Sequence, residues 1–378
     1  MRVRLGGRES HLGYCFNVLP GETVAALHEQ ISRFCEPLRR RLGWTRMGVG
    51  LWLAHDPAAA LAADDAALRA FGDALAASSL YAFTLNGFPY GGFHAPRVKE
   101  AVFQPGWDDP ARLRYTLDLA RILAALLPDD NERGTISTLP LGARDVDREQ
   151  CRKRLVDLVH GLQQLGDDTG KRICVCFEPE PGAAFERAAD MAAFLSDIDR
   201  DGHVGICFDT CHAAVVAEQP RDAWAAFADT GIGCGKIQLS SALVVEHPDH
   251  EADRELLASY DEARFLHQVR AGFGAEAMDI PEAVEQLDRS VPWRVHFHVP
   301  VHRERLDRFS TTSTSIVPAL KAAVAAPGPL PHLEVETYTW NVLPEVERPR
   351  TDGELIDGLA AELRWAAEVI RRMKGELG

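Results

Sequence analysis

Two stretches decide the architecture: ICVCFEPEP (residues 173–181) and VGICFDTCH (residues 204–212). Each is a short apolar run that stops on a carboxylate, Glu178 or Asp209, and then turns. A run with no polar face reads as a strand buried on both sides, the habit of parallel sheets. Similar runs recur about every 30 residues: 12–18, 47–54, 80–86, 135–139, 173–178, 204–209, 236–240, 294–299 and 332–337. Between them lie stretches rich in Ala, Leu, Arg and Glu with helical spacing, at 23–42, 109–127, 148–165 and 352–374. The last opens with a capping box, Thr351 with Glu354.

Strand–helix alternation at this spacing predicts an α/β fold, and eight such units close a (β/α)8 TIM barrel. The nine runs are one too many. The stretch from Ala242 to Trp293 is acidic, rich in His and broken by Gly272, Gly274 and Pro281. It reads as an insertion between the last two barrel strands, reaching to residue 302. On that view the run at 294–299 is an extra strand beside the barrel mouth, or a misordered ring strand. One large domain over residues 1–378 is expected rather than two.

Composition narrows the partners. The chain has 378 residues, 46% of them hydrophobic and 26% charged, as in ordinary globular proteins. Its 41 Lys+Arg against 56 Asp+Glu give a formal charge of −15, which repels phosphate backbones and argues against a nucleic-acid partner. No apolar run approaches the length of a membrane span, and MRVRLGGRESHLGY at the start lacks a signal-like apolar region. A cytoplasmic protein is expected. Cys174, Cys176, Cys207 and Cys211 lie in or beside strand-like runs without CxxC spacing, and read as small buried hydrophobes. No GxGxxG follows an early strand, and neither GxxxxGK[ST] nor GxSxG occurs, so nucleotide and serine-hydrolase chemistry find no support.

In a barrel, function sits at the C-terminal strand ends. Here those ends carry Glu178 and Glu180, Asp209 and His212, Gln238 and Ser240, His296 and His298, and Glu334 and Glu336; the earlier ends give Asn17, His55 and Asn86. Period two puts Cys174, Cys176 and Glu178 on one face, and Cys207 with Asp209 on another, so small side chains leave room for a polar cluster above them. Carboxylates from several strands cannot share a dry mouth uncompensated. They raise each other's pKa or recruit a cation. Two or three carboxylates with an imidazole or amide oxygen suit one divalent ion, Mn²⁺, Mg²⁺, Co²⁺ or Zn²⁺. Plainer readings exist for each alone: a helix N-cap for Asp209, an Arg partner for Glu334 or Glu336, a buried and a surface-paired imidazole for HFH.

Glu-Pro after the fifth run, Asp-Thr-x-His after the sixth and a Glu in the last resemble the xylose isomerase-like barrels, sugar and sugar-phosphate isomerases and epimerases. TLNGFPYGGFH, FEPEPG, CFDTCHAAV, KIQLSSAL, HFHVPV and HLEVETYTWNVLP resemble the metabolite traffic protein EboE family more closely, from about residue 12 to 345. Members of that family travel with a prenyltransferase-like membrane protein. The resemblance implies that Glu178 and Asp209 are metal ligands and that Glu178 also exchanges a substrate proton. Glu336, or Glu334, would be a further ligand and the second acid/base, and His212 would hold a substrate hydroxyl. Gln238 falls where those barrels place a ligand His, with His298 as the alternative source of imidazole. The loop with Asn86, Phe88, Tyr90, Phe93 and His94 is expected to cover the mouth, and Trp340 to form a wall.

Three functions follow as expectations. The first is metal-dependent proton transfer next to a carbonyl of a sugar or sugar phosphate, with Arg97, Lys99 and Lys236 available for a phosphate. The second is a binding or handover module without turnover. The third, phosphodiester cleavage, would need a zinc cluster using residues such as His247, His250, His267 and His302.

Overall fold

The computed structural model describes residues 1–199, 201–272 and 274–376. Eight parallel strands form the ring: β2 (Arg8–Tyr14), β3 (Met47–Trp52), β4 (Leu80–Asn86), β5 (Arg133–Thr138), β6 (Arg172–Phe177), β7 (Val204–Asp209), β8 (Cys234–Leu239) and β15 (His332–Val335). Strand β15 lies between β8 and β2, and a parallel bridge from Cys15 to Gly50 links the two ends of the sheet. A short β1 (Arg2–Leu5) pairs antiparallel with β2 outside the ring. Seven of the ring strands, all but β2, are buried at nearly every position because helices cover their outer face and the barrel fills their inner one.

The helices start where capping predicts. Asp64, Asp109 and Asp147 each accept backbone N–H bonds at the heads of helices Asp65–Ala77, Pro110–Leu126 and Arg148–Thr169. The expected helix 23–42 forms as Val24–Gln30 and Glu36–Leu42 joined by a π turn. The C-terminal helix Asp352–Glu376 is anchored by one buried acid, Glu362. Its carboxylate accepts from Tyr14 Oη (2.6 Å), Thr337 Oγ1 (2.6 Å), Trp340 Nε1 (2.9 Å) and the Val301 amide (3.0 Å).

Between β8 and β15 the chain leaves the ring. It forms a six-stranded antiparallel sheet from β9 (Leu243–Val245), β10 (Val269–Ala271), β11 (Ala275–Ala277), β12 (Trp293–Val295), β13 (Arg305–Leu306) and β14 (Phe309–Thr311). The run read at 294–299 belongs here. Only Trp293–Val295 is strand, antiparallel to β9 and β10, so it is no ring strand. The excursion reaches β14, beyond residue 302, because Thr311 pairs with Leu243 and Thr312 exchanges hydrogen bonds with Ala242, its amide donating to the Ala242 carbonyl (3.0 Å) and its hydroxyl accepting from the Ala242 amide (2.8 Å).

The barrel interior is polar at its centre. Lys236 Nζ and Glu334 Oε2 form an ion pair at 2.6 Å with both side chains wholly buried, and the ammonium also donates to Ser137 Oγ at 3.2 Å. Burial alone would lower the Lys236 pKa, but Glu334 and the nearby thiols outweigh it and the ammonium is held charged. Lys236 is therefore committed to Glu334 and offers nothing to a phosphate. Lys99 is committed likewise, at 2.6 Å from Asp279. The space for Glu334 comes from Gly50, where an added Cβ would lie 1.2 Å from its Oε1. Gly50→Ala must therefore displace the buried pair. It should lower stability by roughly 3–5 kcal/mol, the cost of breaking such a pair. Urea unfolding reads this directly, and an unshifted midpoint would show that Glu334 does not depend on that gap.

Candidate metal centre

Three carboxylates meet above the Lys236–Glu334 pair. Glu178 directly follows β6, Asp209 ends β7 and Glu336 directly follows β15; ligand oxygens of all three lie within 4.8 Å of one another. Each side chain is almost fully buried, at 3%, 2% and 3% exposure, so water does not screen their repulsion. Among the described residues no Arg or Lys forms an ion pair with any of them.

Hydrogen bonds fix one oxygen of two of these acids. Asp209 Oδ1 accepts from Ser240 Oγ (2.7 Å) and from the His212 amide (2.8 Å), which makes it the N-cap of helix Thr210–Val215. The capping role and the site role thus coexist in one side chain, because Oδ2 has no partner. Glu336 Oε1 accepts from Asn17 Nδ2 (2.7 Å) and Asn86 Nδ2 (3.1 Å). Glu178 Oε2 has no hydrogen-bond partner either. Burial, then neighbouring charge, pushes Glu178 and Glu336 well above the usual carboxylate range; the main charges are Asp209 for Glu178, and Glu178 and Asp209 for Glu336.

Gln238 is level with Asp209 on one side and with Glu334 on the other, and is wholly buried. Neither its amide oxygen nor its nitrogen has a partner. Buried amides are rarely left so. Together with Glu178 Oε2 and Asp209 Oδ2, these orphaned atoms make an oxygen-rich donor set that fits a divalent ion.

His298 stands beside the carboxylates. Its Nδ1 lies 3.0 Å from the Glu336 carbonyl and its Nε2 lies 3.3 Å from His212 Nε2. His212 Nδ1 lies 3.0 Å from the Pro179 carbonyl. Burial lowers the pKa of both rings, that of His298 to about 4.

A cavity of about 40 Å³ reaches these groups. Asn17, Asn86, Phe88, Phe93, Glu178, Glu180, His212, His296, Glu336 and Tyr338 are among its walls. Asn86, Phe88 and His212 are thus placed where the sequence reading expects them. Three other expected residues are not. Tyr90 turns away to stack on His55 at 4.3 Å. His94 fastens the loop, with Nε2 2.8 Å from the Asn17 carbonyl. Trp340 is held behind the wall by Glu362 and Tyr14, because its indole N–H needs a buried acceptor. Tyr338, two residues earlier, takes the wall position and packs against His298 at 4.6 Å.

Sequence analysis placed Glu180 and His296 at strand ends but gave neither of them, nor Tyr338, a role in the site. Glu180 follows Glu178 at period two, so the EPEP spacing itself was the available signal. Its pKa is raised by burial and then by Asp209 and Glu336. His296 enters through Gln268, whose Oε1 lies 2.6 Å from its Nδ1. That contact joins distant parts of the insertion and leaves no local trace. The other histidines lie elsewhere: His267 is spent on Glu262 and the His296 carbonyl, and His247 and His250 stack on each other at the surface.

Comparison with known proteins agrees with the barrel fold. The family described as xylose isomerase-like TIM barrel matches residues 40–292. A xylose isomerase domain protein from Planctomyces limnophilus superposes with a TM-score of 0.53 at 12% identity, covering 97% of this chain and 98% of the other. A D-psicose 3-epimerase from Clostridium cellulolyticum H10, solved with D-tagatose, gives 0.51 at 13% identity, covering 95% and 99%. At these identities the likeness is one of fold. No curated protein matches the sequence.

Cation binding here must displace protons from buried carboxyl groups, so affinity should rise with pH. Calorimetric titration of chelator-treated protein with Mn²⁺ between pH 5.5 and 8 should show it. An affinity flat across that range would mean that these carboxylates are not the ligands.

Proposed function

Since the chain belongs to the xylose isomerase-like TIM barrels, we propose that it is a divalent-metal-dependent isomerase or epimerase that moves a proton next to a carbonyl. The substrate would be a small polyhydroxylated ketone, a sugar or sugar phosphate. The observation that carries this reading is the convergence of Glu178, Asp209 and Glu336 without a basic partner. A bound divalent ion would supply Lewis-acid polarisation of a carbonyl and its neighbouring hydroxyl. Glu178, Asp209 and Glu336 would hold it, with Gln238 or His298 completing the set.

The remaining chemistry belongs to the side chains. Glu178 and Glu336 arrive from positions separated in the ring by β7 and β8. One takes the proton from the substrate carbon and the other returns it. Burial first, and then neighbouring charge, raises the pKa of both and so favours their protonated forms. Asn17 and Asn86 keep Glu336 aimed. His212, fixed by the Pro179 carbonyl, orients a substrate hydroxyl. Phe88, Phe93 and Tyr338 exclude water. The loop bearing Phe88 and Phe93 forms part of the cavity wall, and its movement would widen the entry for a sugar. Gly92, with φ of 67° in that loop, provides backbone freedom there.

A second reading is favoured by Gln238, which stands where related barrels carry an imidazole ligand. The barrel would then bind and hand over a metabolite without turnover, in keeping with the resemblance to EboE proteins and their prenyltransferase-like membrane partner. On either reading the protein acts in the cytoplasm. Among the described residues no helix is long and apolar enough to cross a membrane.

Solvent deuterium exchange separates the two. Metal-loaded protein incubated with D-tagatose or related ketoses in D₂O should place deuterium next to the carbonyl. Glu178→Gln should reduce that rate by about 10²–10⁴-fold while the fold persists, as loss of a general base does. Ketose binding with no exchange in the unsubstituted protein would favour handover, and full exchange in the variant would remove Glu178 from the chemistry.

A further inference from the structure

We propose that the N-terminal end of the barrel, opposite the carboxylates, carries a site of its own: a cavity that takes a small anionic disulfide of the glutathione type and exchanges it on Cys174. The site does not depend on the metal chemistry proposed above. The cavity measures about 570 Å³, against about 40 Å³ at the carboxylate mouth, which is ample for a small organic ligand. Its walls come from the N-terminal ends of β5, β6, β7 and β8, from helix Pro220–Thr230 and from the residues just before β15. Arg133, Arg172, Cys174, Asp201, Trp224 and Cys234 are among them. Two guanidinium groups against one carboxylate make this wall basic in a chain of formal charge −15. Arg133 gives two N–H groups to the carbonyls of Leu330 and Gly235. Among the described residues neither arginine forms an ion pair, so a carboxylate of the ligand has donors to meet.

Cys174 and Cys234 line this space, and Cys176 stands wholly buried behind Cys174, with 3.7 Å between their sulfurs. The neighbouring strands are cut back to glycine around the pair. A Cβ at Gly205 would come 3.2 Å from Cys174 Sγ, and one at Gly235 would come 2.6 Å from Cys176 Sγ. Residues two apart on one face of a strand are separated by about 6.6 Å, a span that a disulfide can bridge. The Cys176 thiol donates to Cys174, and this is the largest cause holding the Cys174 pKa below the ordinary thiol value; Arg133 and Arg172 act the same way, against burial. Burial pushes Cys234 up to about 12, so Cys174 is the better nucleophile of the two lining thiols. The Cys174 thiolate attacks one sulfur of the ligand and expels a ligand thiolate, leaving a mixed disulfide. Cys176 then attacks the Cys174 sulfur, expels the second ligand thiolate and closes a Cys174–Cys176 disulfide. The two protein thiol protons pass to the two leaving thiolates, so the pair is oxidised and the ligand is reduced to two thiols. An accessible thiol of lowered pKa beside a resolving thiol is the arrangement such exchange requires.

Mass spectrometry tests this without any enzymatic assay. The full chain is incubated with oxidised glutathione under native conditions, quenched in acid, alkylated and digested with trypsin. The peptide from Ile173 to Arg187 carries both thiols. It should be recovered two hydrogens lighter and unalkylated, while Cys35 and Cys151 stay reduced. Cys176→Ser should stop at the mixed disulfide, with glutathione on Cys174. Arg172→Ala should slow oxidation by oxidised glutathione roughly two- to fivefold, the worth of one exposed charge contact, and leave oxidation by the neutral 2-hydroxyethyl disulfide unchanged. An unmodified 173–187 peptide in the unsubstituted protein overturns the proposal. So does modification confined to Cys234, or oxidation of all eight thiols alike. Equal rates for Arg172→Ala and the unsubstituted protein with oxidised glutathione overturn the anionic ligand. Should Cys176→Ser fail to fold, the unsubstituted protein decides: a Cys174–Cys176 disulfide supports the site and its absence overturns it.

Discussion

Mutual repulsion among Glu178, Asp209 and Glu336 is the constraint around which the barrel mouth is arranged. Three acids with oxygens within 4.8 Å, each almost wholly buried, must either hold protons or share a cation. The chain provides no Arg or Lys to pair with them among the described residues. Instead it aims them. Amides of Asn17 and Asn86 grip Glu336, while Ser240 and a helix N-terminus grip Asp209. One Asp209 oxygen is engaged this way and the other is left without a hydrogen-bond partner. Stabilisation of this kind orients the carboxylates without neutralising them, as a metal centre requires.

Beneath the cluster, Lys236 and Glu334 cancel each other inside the ring. The pair divides the interior into a neutral floor and an acidic mouth. The small residues around it follow from volume. Gly50 yields space to Glu334, and Gly235 yields space to the Cys174 and Cys176 thiols. The eight ring strands thus carry polar cargo with no strand able to be uniformly large.

The inserted sheet changes the character of the mouth. It leaves the ring after β8 and returns before β15, the strand that leads into Glu336. Its His296–Val299 segment is hung by backbone bonds from His296 to Gln268 and from Val299 to Ser241. Those bonds deliver imidazoles to a rim that is otherwise oxygen-rich. The aromatic loop closes the opposite side through Phe88 and Phe93, fastened by His94 to the Asn17 carbonyl.

Local pattern carried much of this. Apolar runs ending on Glu178 and Asp209 placed both carboxylates at strand tips, and period two placed Glu336 with Glu334 on the inner face of the last strand. Those features depend on neighbours in sequence, where pleat geometry and capping act. Local pattern did not separate Glu334 in β15 from Glu336 just after it. That choice rests on Lys236 from the adjacent strand pairing with Glu334 and on asparagines from the first strands reaching Glu336. The fates of Tyr90, His94 and Trp340 likewise turned on partners more than twenty residues away, and His296 needed Gln268 from across the insertion. Strand identity, strand ends and the acidic character of the mouth are therefore written in the chain order, because backbone hydrogen bonding and side-chain alternation are short-range. Which acid is neutralised, which aromatic faces the cavity and which imidazoles meet are settled by folding alone, because burial and charge pairing act between groups that only closure of the ring brings together.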